Sequence, residues 1–247
     1  MLKTVIFDLG GTLLHYRDGE NADFRNITRR GLCILRDDLL ARGFAPPPEA
    51  DFLAIVFEHI GAAYTTSLQE LRGGSMEAAV RQALGAMGLA VDDGLWGDLR
   101  GPFNAVVDEI VFPREGVRET LAALHARGYR LGLLSNTFWA ADVHDRHLKA
   151  HGLLDFLPVR VYSSGEVHIK PHPAIFQETL ARMGVLAPEA IYVGDRLDAD
   201  VIGAHRAGMR TALILSPYHD ECIEDIEPDI IIGELPDLPD RLAAHGW

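Results

Sequence analysis

The segment that most restricts the fold is Thr4-Val5-Ile6-Phe7-Asp8-Leu9-Gly10-Gly11-Thr12-Leu13. Its short apolar run reads as a buried strand, ending on a carboxylate and then a Gly-Gly turn. Asp8 therefore stands at the carboxyl end of a strand, beside backbone free to approach a ligand. Ligands bind at that edge in open α/β sheets.

The pattern then changes to helical period. Phe24, Ile27, Ile34 and Leu35 share one face, and Pro46-Pro47-Pro48 interrupts the chain. Phe52, Ile55, Val56, Ile60 and Ala63 form a second face. Met76, Ala79, Val80, Ala83, Leu84 and Met87 form a third after Gly73-Gly74, and Leu99, Phe103, Val106 and Ile110 a fourth. Four amphipathic helices with no strand between them read as a small bundle. From about Pro113 strands alternate with helices. Leu131–Leu134, Val159–Tyr162, Ile191–Val193, Thr211–Leu215 and Ile230–Ile232 are the strand candidates, and Val117–Arg127 is a helix closed by Gly128. Alternation of this kind predicts an α/β fold with a parallel, Rossmann-like sheet and right-handed crossovers. The first strand belongs to that sheet, so the bundle is an insertion above its carboxyl edge. The expected division is a core of residues 1–15 and 112–247 and an α-helical cap over 16–111.

The strand ends carry the chemistry. Asp8 follows the first strand, Ser135-Asn136 the next, Lys170 lies beyond the third, and Asp195, Asp198 and Asp200 follow the fourth. Three carboxylates drawn into one crevice repel one another, and a divalent cation relieves that cost. Oxygen-only ligands point to Mg²⁺. The chain has three lysines, Lys3, Lys149 and Lys170, which makes one beside this cluster conspicuous. An aspartate held ionised by a cation and a lysine can attack phosphorus.

These segments together resemble the haloacid dehalogenase superfamily of hydrolases over nearly the whole chain. Asp8-Leu9-Gly10-Gly11-Thr12-Leu13 is similar to its first motif, usually D-x-D-G-T-L. Ser135, Lys170-Pro171 and Gly194-Asp195-Arg196-Leu197-Asp198-Ala199-Asp200 are similar to the second, third and fourth. The inserted helices resemble its type-1 cap. The resemblance implies hydrolysis of a small phosphorylated metabolite through an aspartyl-phosphate at Asp8. It implies that Ser135 binds a phosphoryl oxygen, that Lys170 bridges Asp8 and the phosphoryl group, and that Asn136, Gly11 and Thr12 complete the phosphate site. The implied metal ligands are Asp8, the Gly10 carbonyl, Asp195 and, directly or through water, Asp200 in preference to Asp198.

One position departs from the pattern. Gly10 stands where phosphatases of this kind carry a second aspartate, which protonates the leaving group and activates water. General acid–base help is worth about 10²- to 10⁴-fold, so slow turnover of alkyl phosphates is expected unless His15, Tyr16 or an arginine substitutes. Two alternatives follow, a phosphate-binding or regulatory protein without turnover, and a 2-haloacid dehalogenase. Dehalogenases of the superfamily also lack the second acid, but they do not carry Gly-Asp-x-x-x-x-Asp. Phosphonoacetaldehyde hydrolases use a cap lysine, and this cap has none.

The remaining polar residues read more plainly. His144, His147 and His151 at helical spacing are expected on a solvated face. His168 and His172 are expected as loop residues, Arg29-Arg30 as a polar face, and Trp96, Trp139 and Trp247 as packing groups. Cys33 and Cys222 show no metal-type spacing, and buried free thiols are expected. A net charge of -13 argues against a nucleic-acid partner. No apolar run approaches a membrane span and no signal peptide is visible, so the expectation is a cytoplasmic monomer or homodimer.

Overall fold

The computed structural model describes residues 2–16, 24–216 and 226–247. Strand β1 (Thr4–Phe7) leads through a tight turn into β2 (Leu14–Tyr16). Helices α1 (Phe24–Ala41), α2 (Glu49–Glu70), α3 (Met76–Ala86) and α4 (Asp93–Ala105) follow. The chain returns through β3 (Val111–Pro113), which pairs antiparallel with β2, Tyr16 opposite Val111. The insertion thus leaves and re-enters the α/β part through one two-stranded ribbon.

Next come α5 (Val117–Ala126), β4 (Arg130–Ser135), α6 (Ala141–Ala150), β5 (Val159–Tyr162), α7 (Pro173–Met183) and β6 (Ala190–Gly194). A short α8 (Gly203–Arg206), β7 (Arg210–Ile214), β8 (Ile230–Ile232) and α9 (Leu238–Ala244) complete the described chain. The main sheet has six parallel strands in the order β5-β4-β1-β6-β7-β8. This is the α/β, Rossmann-like architecture that the alternating pattern predicts. The order reverses beside β1, so the crevice at its carboxyl end is the topological switch point.

Alternation along the central strands sorts their side chains between two apolar layers. Val5, Phe7, Leu131, Leu133, Ile191 and Val193 pack on one face with α5, α6 and the inserted helices. Ile6, Leu134, Val161 and Tyr192 pack on the other against Ile175, Phe176 and Leu180 of α7. The buried cluster of the first face runs without a break into Ile27, Leu32, Phe52, Val80 and Phe103 of the insertion. Local signals set the helix ends. Ser75 caps α3 by accepting from the Ala78 N–H, Asp92 caps α4, and Pro173 opens α7.

Two expectations need correction. The fourth helical face extends in sequence to Ile110, but α4 ends at Ala105 and Asp108–Ile110 form a separate tight turn before β3. The apolar spacing continues because Val106 and Ile110 remain buried after the backbone leaves the helix. His144 and His147 are not solvated: both are buried on the inner face of α6 with Val143 and Leu148. The i, i+1, i+4, i+5 spacing of these four residues is itself an inward-facing stripe.

Candidate active site

Four strand ends meet at the switch point. Asp8 follows β1 directly, and its N–H donates to the Val193 carbonyl of β6 at 2.9 Å. Asp195 follows β6. Asp200 sits in a π-helical turn over Leu197–Ile202, a widened geometry recurrent at functional sites. Lys170 reaches in from the loop before α7. Asp8, Asp195, Asp200 and Lys170 are all buried.

The Lys170 ammonium uses all three donors here. Nζ lies 2.7 Å from Asp8 Oδ1, 2.6 Å from Asp200 Oδ1 and 2.8 Å from the Tyr192 hydroxyl oxygen. Tyr192 in turn donates to the Leu134 carbonyl at 2.6 Å. Sequence reasoning treats Tyr192 only as a strand residue. The signal for more is a phenol inside a buried strand, since a buried hydroxyl needs a partner. Asn136 grips the Lys170 backbone, its Oδ1 accepting from the Lys170 N–H and its Nδ2 donating to the Lys170 carbonyl, both at 2.8 Å. The Asn136 amide is therefore engaged in holding the lysine loop.

Charge does not balance in this pocket: three carboxylates share one ammonium. Burial raises the Asp8 carboxyl above its ordinary value against the opposing pull of Lys170. Burial, with Asp8 and Asp200 nearby, pushes Asp195 up to about 7. Oxygens of Asp8, Asp195 and Asp200 lie within 4.8 Å of one another, and Asp195 Oδ1 is buried with no hydrogen-bond partner. An orphaned carboxylate oxygen in an all-oxygen, net-negative cluster fits a hard divalent cation. Asp200 is differently placed, since its Oδ1 takes the Lys170 ammonium and its Oδ2 the Arg196 N–H at 3.0 Å. That arrangement suits contact with a cation through water.

Glycines make the cluster sterically feasible. Gly11 has φ +80°, and a Cβ there would lie 2.2 Å from Asp195 Oδ2. A Cβ on Gly194 would lie equally close to Asp200 Oδ2. Gly11 thus makes room for the acid. Its N–H bonds the Leu14 carbonyl and that of Thr12 bonds the Leu9 carbonyl. Neither residue lines the cavity beside Asp8 and Lys170, and both take part in the turn.

That cavity measures about 430 Å³ and is lined by Asp8, Gly10, Ser135, Lys170, Ser163 and Arg196, among others. Gly10 also borders Tyr16: a Cβ on Gly10 would sit 3.7 Å from the Tyr16 ring, ordinary contact. Tyr16 therefore occupies the surroundings of the absent acid, whereas His15 lines neither cavity at this edge. The Tyr16 hydroxyl pairs with His144 Nδ1 at 3.0 Å, and His144 Nε2 pairs with Thr137 Oγ1 at 2.6 Å. His168 and His172 stack at 3.8 Å beside the lysine loop, their rings parallel. Trp96 and Trp139 are buried around Phe103, Trp247 packs at the edge of the core, and Arg29 and Arg30 pair with Glu49 and Glu109 on the surface. Cys33 is a free, half-buried thiol; Cys222 lies outside the described residues.

Burial pushes the His144 imidazole down to about 3. The unfolded chain then binds this proton and the folded one does not, so the contribution is present above the unfolded pKa of about 6.5 and is lost as pH falls toward 3. At pH 5 the loss is about 2 kcal/mol. Thermal melts at pH 7.5 and pH 5 should show a larger acid destabilisation in the native protein than in His144→Asn. Equal differences would contradict the neutral, buried imidazole.

The profile of haloacid dehalogenase-like hydrolases matches residues 2–208. Pyrophosphatase PpaX of Halalkalibacterium halodurans is 30% identical over 54% of this chain and 61% of its own length. Glyceraldehyde 3-phosphate phosphatase of Methanopyrus kandleri is 37% identical over 47% of this chain and 52% of its own. The chain thus spans little more than half the length of the curated relatives it matches. A crystal structure of 2-haloacid dehalogenase from Pseudomonas syringae pv. Tomato superposes with a TM-score of 0.69 at 26% identity, covering 99% of this chain and 100% of that one. Among the described residues, no helix is long and apolar enough to cross a membrane. With a matching profile over most of its length and the parallel sheet beneath it, the chain belongs to the haloacid dehalogenase-like hydrolase family.

Proposed function

We propose that the protein is a magnesium-dependent phosphatase that hydrolyses a small phosphorylated metabolite through an aspartyl-phosphate at Asp8. The observation that carries this reading is the buried excess of carboxylate around one lysine, with Asp195 Oδ1 unpartnered. A haloacid displacement at carbon has no need of that excess negative charge, whereas phosphoryl transfer uses a cation beside the nucleophile. The relatives named as phosphatases support the same reaction class.

Asp8, the Gly10 carbonyl and Asp195 would hold Mg²⁺, with Asp200 acting through water; when bound, the ion supplies neutralisation of charge on the phosphoryl oxygens. Asp8 Oδ1 takes the ammonium, which leaves Oδ2 as the attacking oxygen. Lys170 keeps Asp8 ionised and lies beside the transferring group, where its charge stabilises the transition state. Ser135, at the carboxyl end of β4, offers its hydroxyl to a phosphoryl oxygen; its contact with the Asn136 carbonyl, at 3.5 Å, is long. The inserted helices serve as a cap that limits water at the site.

Gly10 bounds the rate. Its surroundings accept a Cβ without a clash, so Gly10→Asp can restore a carboxyl at the leaving-group side. The substitution is expected to raise turnover of an alkyl phosphate at least tenfold, within the range for general acid help, and to change acetyl phosphate turnover little. Phosphate release from both substrates, with Mg²⁺ and with chelator, tests both points. No hydrolysis of any phosphate ester by either protein, with vanadate still bound, would favour the binding protein without turnover. Chloride release from 2-chloropropanoate without added metal would favour the dehalogenase.

A further inference from the structure

Beyond Gly10 the phosphate-side cavity meets a second chamber of about 370 Å³, a size typical of small-molecule sites. Its walls include Tyr16, Phe24, Ile60, Tyr64, Phe138 and Trp139. The two spaces share Gly10, Ser135, Asn136, Thr137, Phe138 and Tyr64. Gly10 and Ser135 flank the position of the phosphoryl group, so a group joined to phosphorus on that side enters the second chamber directly. With glycine at position 10, no side chain stands in the way.

The described lining of the chamber carries no formal charge. Among the described residues that line it there is no lysine, arginine, aspartate or glutamate. Its polar groups are largely spent on one another. Tyr16, His144 and Thr137 form one hydrogen-bonded chain, and Thr28 Oγ1 donates to the Phe24 carbonyl at 2.7 Å. The His144 imidazole that closes this chain is neutral at ordinary pH. Among the described lining residues a second phosphate or a carboxylate would find no counter-charge, and burying an unpaired charge is strongly unfavourable. An aromatic or aliphatic body would bury apolar surface against five rings and a methyl-bearing helix face.

The missing acid points to the same class independently. A phenol ionises near pH 10, as tyrosine does, whereas alkyl alcohols ionise far higher, near water at about 15.7. An aryl oxide therefore leaves phosphorus with little protonation, and among monoesters a site lacking the second aspartate loses less on aryl than on alkyl esters; the chamber's apolar lining is what disfavours a pyrophosphate. We propose that this chamber binds the apolar organic part of the substrate, and that the substrate is an aryl phosphomonoester in preference to a pyrophosphate or a phosphorylated sugar fragment. The assignment rests on phosphate-ester chemistry at Asp8.

The test is calorimetric binding of non-hydrolysable phosphonates to the intact protein in Mg²⁺. 1-Naphthylmethylphosphonate is expected to bind at least tenfold more tightly than methylphosphonate, and more tightly than methylenebisphosphonate. Ile60→Glu places a carboxylate in the chamber wall and should reduce the naphthyl-to-methyl ratio at least tenfold, while Ile60→Leu preserves it. A ratio near one in the native protein, tighter binding of the bisphosphonate, or a ratio unmoved by Ile60→Glu overturns the proposal. Acetyl phosphate turnover, measured alongside, separates the two levels. Turnover with a ratio near one removes the chamber assignment and leaves phosphoryl transfer at Asp8. A retained ratio without turnover upholds the chamber as an apolar subsite and removes phosphoryl transfer at Asp8.

Discussion

Asp8→Asn is expected to reduce phosphate ester turnover by about 10⁴-fold or more, the scale on which removal of a nucleophile is felt. The fold should survive. Asparagine keeps the shape of the side chain and an oxygen acceptor for Lys170, whose ammonium also holds Asp200 and Tyr192. The substitution removes one of three buried carboxylates that share one cation, so repulsion in the metal-free protein falls. Burial already disfavours the charged form of this group. The melting temperature without Mg²⁺ should therefore be unchanged or higher than that of the native protein. Phosphate release from acetyl phosphate and p-nitrophenyl phosphate, intact-mass detection of a phosphoryl adduct in the native chain, and thermal melts together check this. Residual activity within tenfold of native would remove Asp8 from the role of nucleophile.

Lys170→Met acts in the opposite direction on stability. It deletes the ammonium that contacts Asp8, Asp200 and Tyr192, leaving a buried carboxylate cluster with no lysine. Breaking a buried ion pair on one side costs roughly 3–5 kcal/mol. Activity should fall on the order of 10²- to 10³-fold, as for removal of a charge-stabilising donor. The pH dependence gives the loss a signature. A carboxyl whose pKa is raised in the folded state contributes stability at low pH and loses it as pH rises through that value. In the variant only the Leu9 backbone N–H opposes the effect of burial on Asp8, so destabilisation relative to the native protein should be smaller at pH 5 than at pH 8. Denaturant titrations at both values would show it. Equal destabilisation at the two would mean that the lysine contributes packing and not charge. Lys170 also has its backbone clamped by Asn136, so the loop should hold its place in the variant, and any loss of metal-free fold traces to charge.

Most of the α/β frame is legible in the chain because it depends on local pattern. The run Thr4–Phe7 followed by Asp8 is a strand with an acid at its end in any sheet, and Gly128 and Gly184 end helices wherever they fall, with φ of +88° and +64°. The periodicity from Phe24 to Phe103 likewise marks four helices before any packing is known. The misreading of His144 and His147 shows where locality stops. Histidine is polar by composition, but these two turn inward because Tyr16 and Tyr162 stand where α6 docks, with His144 stacked on Tyr162 at 5.3 Å between ring centres. Tyr16 lies 128 residues away in sequence, so the helical spacing marks the inward stripe but not the phenol that receives it.

At the site, local pattern already names the groups that arrive, since four strand ends and the turns after them carry Asp8, Ser135, Lys170, Asp195 and Asp200. Packing sets how they divide the work. It set three carboxylates against one ammonium, left Asp195 Oδ1 without a partner, and engaged Asn136 with the lysine backbone. It also turned the absence at Gly10 into an opening, because Tyr16, Tyr64, Phe138 and Trp139 come from segments distant in the chain and enclose a space only when folded. The difference is one of range. Strand and helix signals act over a few residues, whereas repulsion, desolvation and enclosure depend on distances that only the packed chain sets.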